Sequence, residues 1–266
     1  MITLVSHIKD NLDTSLISVV RMGGVETSSI LEYLQNGLVS RKNKKKLSFN
    51  AGFYDDKNSF EEFISLNRNA LQDATAVAEW GLAQQDILLD LFCATNLRFK
   101  LKDLEPFHDK NDWISFFNFK SIAVVTSFPK TFGSQLKNIS YVHPKLELDK
   151  IHFEFIQAPV TNLGAIFDNS ISWFDRLYDL EKKIHNDYDL VLISAGSYGV
   201  PLSGLLSARK INNIVMGGAL QLVFGVTGKR WLDRDDYKNL FNQYWISPLS
   251  EETPLNKHKL ENGCYW

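Results

Sequence analysis

Short apolar runs alternate with amphipathic stretches along this chain, and the two kinds of segment have different periods. LISVVRM (16–22) is continuous and β-branched, which predicts a buried strand. ETSSILEYLQNG follows as a helix with Ile30, Leu31 and Leu34 on one face and Gly37 as its stop. Residues 59–82 predict a longer helix, with Ser59 as N-cap and Glu62 completing a capping box. DILLDLFCA fits strand or helix equally. From residue 121 the alternation sharpens. SIAVVTS, IHFEFIQA, DLVLISA and INNIVMG read as strands. KTFGSQLKN, SISWFDRLYDLEKKIHN and GVPLSGLLSARK read as the helices between them, the second with Ile171, Phe174, Leu177, Leu180 and Ile184 at helical spacing. Strands that are apolar throughout, each followed by a helix, predict a Rossmann-like α/β fold: a mostly parallel sheet with helices on both faces. No linker interrupts the pattern, so residues 1–266 are expected to form a single domain.

Three predicted strands end in glycine. SAGSYG brings Ser194, Gly196, Ser197, Tyr198 and Gly199 to the start of a helix, and MGG brings Gly217 and Gly218 to the next strand end. RMGGVE brings Arg21, Gly23, Gly24 and Glu26 to the first. In an open parallel sheet, ligands bind beyond the carboxyl ends of the strands. Helix N-termini there offer unpaired N–H groups and positive potential, and glycines let a bulky anion approach, so a phosphate or diphosphate is the natural guest. GSYGVP matches neither the dinucleotide fingerprint nor the P-loop, and a tight turn with Pro201 early in the helix explains it as well. Downstream of the second glycine pair lie Gln221, Lys229, Arg230 and Trp231. A guanidinium and an indole together can hold a phosphate and stack on a ring. The alternative is a surface Trp231 with Arg230 paired to Asp233 or Asp235. Glu26 suits a metal or a ribose hydroxyl, or caps the helix that follows it.

Composition narrows the partners. The chain is 44% hydrophobic and 23% charged, with a formal net charge of -2, which gives no reason to expect nucleic acid. The local exception is SRKNKKKLSF, with Arg41, Lys42, Lys44, Lys45 and Lys46: a solvated loop, or a peripheral contact with an acidic surface such as phospholipid headgroups. The two cysteines, Cys93 and Cys264, suggest no disulfide framework or zinc site. With no signal peptide and no stretch of about twenty apolar residues, a cytoplasmic location is expected. The six histidines lack ligand spacing; His143 and His152 lie near strand ends. Ser127, Lys130 and Thr131 follow another strand end and are expected near the cleft. No G-x-S-x-G elbow is present. The final ENGCYW is expected to fold back on the body, beside the pocket.

The stretch from LISAGSYG to FGVTGKRW, with the ending WISPLSEETPLNKHKLENGCYW, resembles a family of bacterial proteins from polysaccharide-biosynthesis loci, similar in layout to the GT-D glycosyltransferases. The resemblance runs from RMGGVE to the last residue, strongest after residue 186 and weak over 38–120. It implies a Rossmann-like domain that moves a sugar from a nucleotide-diphosphate donor to a saccharide or lipid-linked acceptor in surface-polysaccharide assembly. It also implies a divalent metal, Mn2+ or Mg2+, held by an Asp-x-Glu motif after the first strand. The corresponding residues are Gly24-Val25-Glu26, so the aspartate is missing and Glu26 alone carries over. By the same resemblance Ser194–Gly199 faces the donor phosphates and Gly217 and Gly218 form the neighbouring strand end. On this reading the diphosphate rests on the N–H groups of Gly196–Gly199, and Glu26 holds the metal. Arg21 or Arg230 offsets leaving-group charge, and Gln221 reads a hydroxyl of the sugar or base. Glu26, Asp233 and Glu261 are the acids from which a general base would come. The rival readings are a non-catalytic nucleotide- or sugar-binding protein of the same fold, and an enzyme acting on another phosphorylated metabolite.

Overall fold

The computed structural model describes residues 2–54, 59–93, 96–108, 110–163, 170–259 and 263–266. Seven strands form one sheet: β1 (Ser18–Val20), β2 (Ala76–Glu79), β3 (Leu97–Lys100), β4 (Ser121–Thr126), β5 (His152–Gln157), β6 (Leu190–Ser194) and β7 (Asn213–Val215). Their order is β3-β2-β1-β7-β6-β4-β5. Every pairing is parallel, so the architecture is Rossmann-like α/β with a wholly parallel sheet.

Alternation within the strands divides the core into two layers. Val20, Ala123, Val125, Val191 and Ile193 face one layer. Val19, Ile122, Val124, Leu190 and Leu192 face the other. Both layers are covered, which is why β1, β4, β6 and β7 are buried almost throughout, while the edge strand β5 alternates between buried and exposed residues. The first layer is roofed by α2 (Gly24–Asn36), α4 (Phe60–Asp73), α5 (Ala83–Cys93), α8 (Trp173–Lys182) and α9 (Gly199–Ala208). The second is closed by α1 (Leu4–Asn11), α6 (Pro129–Gln135), α7 (Ile139–Val142) and α10 (Ala219–Val223), with the segment around Trp113 and Phe117. The Trp113 indole is fully buried there.

Several expectations are corrected. The helix expected over 59–82 ends at Asp73, and Ala76–Glu79 becomes β2, a central strand. Ser59 occupies the N-cap position without a side-chain bond to the first turn, so the capping box with Glu62 does not form. DILLDLFCA resolves as helix α5. The basic stretch is not a loop: Arg41–Lys46 forms α3, whose N-cap Ser40 accepts from the Asn43 N–H. Glu32 anchors that cap through Ser40 and Asn43, and these bonds hold its carboxyl below the ordinary range. Leu34 and Ile171, expected on buried faces, are exposed. Gly37 does end α2, its N–H donating to the Tyr33 carbonyl at 2.7 Å. No helix among the described residues is long and apolar enough to cross a membrane.

Candidate functional site

The sheet places β1 beside β7, parallel to it, and the chain leaves the two strands toward opposite faces. After β1 the chain enters α2, which packs Ile30 and Leu31 into the first layer. After β7 it enters α10, which packs Leu220 and Val223 into the second. Such a divergence opens a crevice beyond the strand ends. A cleft of about 1430 Å³ lies there. Arg21, Gly24, Glu26, Ser194, Gly196, Ser197, Gly217, Gly218, Arg230 and Trp231 all line it.

The glycines serve two different ends. Gly196 has φ of +54°, and a β-carbon on it would lie 2.7 Å from the Ala51 carbonyl oxygen. What approaches this turn is therefore the chain's own backbone. The turn is a 3-10 segment running straight into α9, with the Tyr198 N–H donating to the Ala195 carbonyl. Ser197 Oγ accepts from Trp173 Nε1 at 3.1 Å. Tyr198 is buried, stacked on Trp173 at 4.6 Å, with its hydroxyl 3.2 Å from Thr161 Oγ1. Gly199 starts α9 against Val215 and Ile193, where a β-carbon would make ordinary contact. Tyr198 and Gly199 thus lie in the layer beneath the cleft, their N–H groups bonded to the Ala195 and Gly196 carbonyls, whereas Ser194, Gly196 and Ser197 line it.

At Gly217–Gly218 the neighbours are cationic. Arg21 lies across Gly217, where a β-carbon would collide with its Nη1, and φ there is +58°. Arg230 lies across Gly218, with Nη1 3.0 Å from the position of a β-carbon. Two guanidiniums therefore sit side by side over one strand end. Burial lowers the Arg21 pKa from its usual value; Glu26 and Tyr265 oppose that fall, and Arg230 adds to it. The guanidinium stays charged all the same. Arg21 also lies 4.7 Å over the Trp80 ring, whose Nε1 donates to the Met22 carbonyl at 3.0 Å. Its buried Nε has no hydrogen-bond partner among the described residues. Arg230 stacks on Tyr265 at 4.4 Å and reaches Cys264 Sγ at 3.1 Å. Glu26 stands in the first turn of α2, its carboxylate folded back over Gly23.

Residues 263–266 fold against the body, as the two terminal aromatics suggested. Tyr265 and Trp266 line the cleft, Trp266 Nε1 donates to the Glu252 carbonyl, and Cys264 is buried. Gln221 is buried behind them, donating to the Tyr265 carbonyl at 2.9 Å, and does not face the cleft. Ser127 lines the cleft, whereas Lys130 and Thr131 are engaged by Glu251 and Glu252. Asp233 is exposed away from it, and Glu261 lies outside the described residues. His152 is exposed at the start of β5. His143 is buried with Nε2 2.7 Å from the Leu222 carbonyl and its ring stacked on Phe107, and burial pushes its pKa down to about 4. Burial likewise raises the Cys93 thiol to about 11, consistent with an inert core cysteine.

Three parts of the cleft wall were not anticipated. Trp80, 41% exposed, follows the strand that the helical reading of 59–82 concealed. Lys46 and Asn43 come from α3. Glu105, buried, accepts from Tyr237 and lies 2.5 Å from His108 Nε2. Its only signal in sequence was a carboxylate amid aromatic residues.

At the β1 end the stretch 21–26 offers one carboxylate, Glu26, with the Arg21 guanidinium beside it, a donor set that does not suit a divalent cation. Among the described residues no group of three or more His, Cys, Asp or Glu side chains converges.

No protein-family model matches the sequence, and no curated protein matches it. A solved structure described as the selenomethionine-substituted structure of domain of unknown function 1792 is similar, with a TM-score of 0.49 and 15% identity over 93% of this chain and 89% of that one. That likeness is too distant to carry a function across.

Proposed function

We propose that the cleft binds a nucleoside-diphosphate sugar and transfers the sugar to a hydroxyl of a saccharide or lipid-linked acceptor. The observation that carries this reading is the pair Arg21 and Arg230 over Gly217 and Gly218, with Glu26 at the same strand ends. The cleft exceeds the usual size of a small-ligand pocket and has room for donor and acceptor together. In the reaction the bond from the anomeric carbon to the diphosphate oxygen breaks, and its electron pair leaves on that oxygen. The acceptor oxygen forms the new bond and gives up its proton. Arg21 and Arg230 stabilise the charge that grows on the diphosphate, an interaction stronger in the transition state than in the bound donor. Glu26 takes the acceptor proton. The exposed face of Trp80 offers a platform for the base, and Trp231 lines the opposite wall.

Gly24 in the aspartate's place favours one rival, a binding protein that has lost turnover. A thermal-shift screen with UDP, GDP and CMP, followed by assay of sugar release from the matching donor, separates the two. Near-saturating nucleotide should raise the melting temperature by about 5 °C or more. Sugar release supports transfer; stabilisation without release, acceptors included, supports the binding role. No response to any nucleotide overturns both.

A further inference from the structure

We infer that Arg21 and Arg230, and not a divalent metal, neutralise the diphosphate of the donor. The inference rests on the nucleotide-sugar reading above and adds how that site holds its ligand. A nucleotide sugar carries about two negative charges on its diphosphate, and two guanidiniums match them in number and in forked geometry. Their placement is built rather than incidental. Arg21 occupies the space above Gly217 that any side chain would fill, and its aliphatic portion lies within van der Waals reach of the same glycine. It is pinned over Trp80 on its other side. Arg230 is fixed above Gly218 between the Trp231 and Tyr265 rings. The N-terminus of α2, thirteen residues long, adds positive potential at the same place. A metal ion there would be a third positive centre beside Glu26; of the other acids on the cleft wall, Glu105 is engaged by His108 and Tyr237, and Glu251 and Glu252 by Lys130 and Thr131. The turns that follow β1, β6 and β7 contribute no acid other than Glu26.

Gly24 makes the inference testable from the opposite side. A β-carbon at this position meets nothing within 4 Å, so Gly24→Asp is tolerated by the fold and restores the missing acid. The experiment is calorimetric titration of the full chain with UDP and with GDP, in EDTA and in Mn2+. The wild-type protein should bind one of them in EDTA, with affinity changed less than about twofold by Mn2+. Arg21→Gln and Arg230→Gln should each weaken binding in EDTA by about tenfold or more. Gly24→Asp should weaken binding in EDTA by about fivefold through like charge, and Mn2+ should restore it. Arg230, at the cleft surface, and Gly24→Asp keep the test decisive if Arg21→Gln does not fold. Binding that needs Mn2+ in the wild type overturns the inference and leaves the nucleotide-sugar reading standing. Binding in EDTA that both arginine variants retain also overturns it. Absence of binding in either buffer overturns the reading itself, and the inference with it.

Discussion

Arg21 and Arg230 act through the two glycines they cover, and the two positions should respond differently to a methyl group. Gly217→Ala places a side chain at positive φ and into Arg21. It should cost about 1–3 kcal/mol in chemical denaturation and displace the guanidinium. Gly218→Ala meets the flexible end of Arg230 and the Tyr265 ring edge at 3.0 and 3.2 Å, both able to yield. It should fold normally and weaken nucleotide binding. His143 supplies a pH signature. Its pKa lies near 4 when folded against 6.5 in the reference state. The unfolded chain therefore binds more protons between those values, and stability falls as pH drops through that window, by up to about 3 kcal/mol. His143→Gln, which keeps a donor for the Leu222 carbonyl, should flatten the dependence seen in urea melts at pH 7 and pH 4. His7, lowered by burial against a smaller opposing effect of Asp10, contributes in the same sense. At this scale the sequence displayed which residues reach the strand ends, because glycine, arginine and glutamate are recognisable there. It did not display orientation. Tyr198 and Gln221 share the polarity of their neighbours, yet each turns inward toward a partner remote in the chain, Thr161 in one case and Tyr265 in the other.

Elements were legible where hydrophobic period and turn chemistry agreed, as in β4, β5, β6 and α8. They were obscured where helix-forming residues run into a strand without a break. Asp73-Ala74-Thr75-Ala76 carries no glycine or proline, so α4 and β2 merge in the pattern although their backbones part at Ala74. Pairing with β1 and β3 on either side decides the outcome for residues 76–79, a case of tertiary context overriding propensity. The crossing of α4 and α9 depends on one small residue. A β-carbon on Gly204 would lie 2.8 Å from Ala70 Cβ and 3.0 Å from its Cα. Gly204→Ala should destabilise by about 1–3 kcal/mol in denaturant, although alanine is the better helix former by about 1 kcal/mol. The polar core beneath that crossing is equally specific. Asn213 accepts from Ser203, donates to Ser207 Oγ at 3.1 Å and to the Ile211 carbonyl at 3.0 Å, and Ser207 in turn donates to Ser18 at 2.9 Å. Asn213→Leu removes the buried acceptor of Ser203 and the donor to the Ile211 carbonyl and should cost about 1–3 kcal/mol in the same assay.

For the molecule as a whole, a parallel α/β sheet followed from the succession of strand and helix, but the strand order did not. Order is fixed by which edges meet in space, and no local pattern encodes that β7 inserts between β1 and β6. The cleft opens where that insertion sets β7 beside β1, and the strand order that joins the end at residues 194–197 to the Arg21 and Gly217 ends was visible only in three dimensions. The same insertion bears on how the polypeptide is made. The backbone bond from Ile17 to the Asn212 side chain spans 195 positions. Until the ribosome has delivered the stretch 213–215, the hairpin-free halves β3-β2-β1 and β6-β4-β5 have no strand to join them, and both inner edges stand open to other chains. Nascent fragments stopped short of that point should therefore aggregate, while one that includes 213–215 closes the sheet; the guanidinium pair forms later, once Arg230 and the Tyr265 ring beneath it have been delivered.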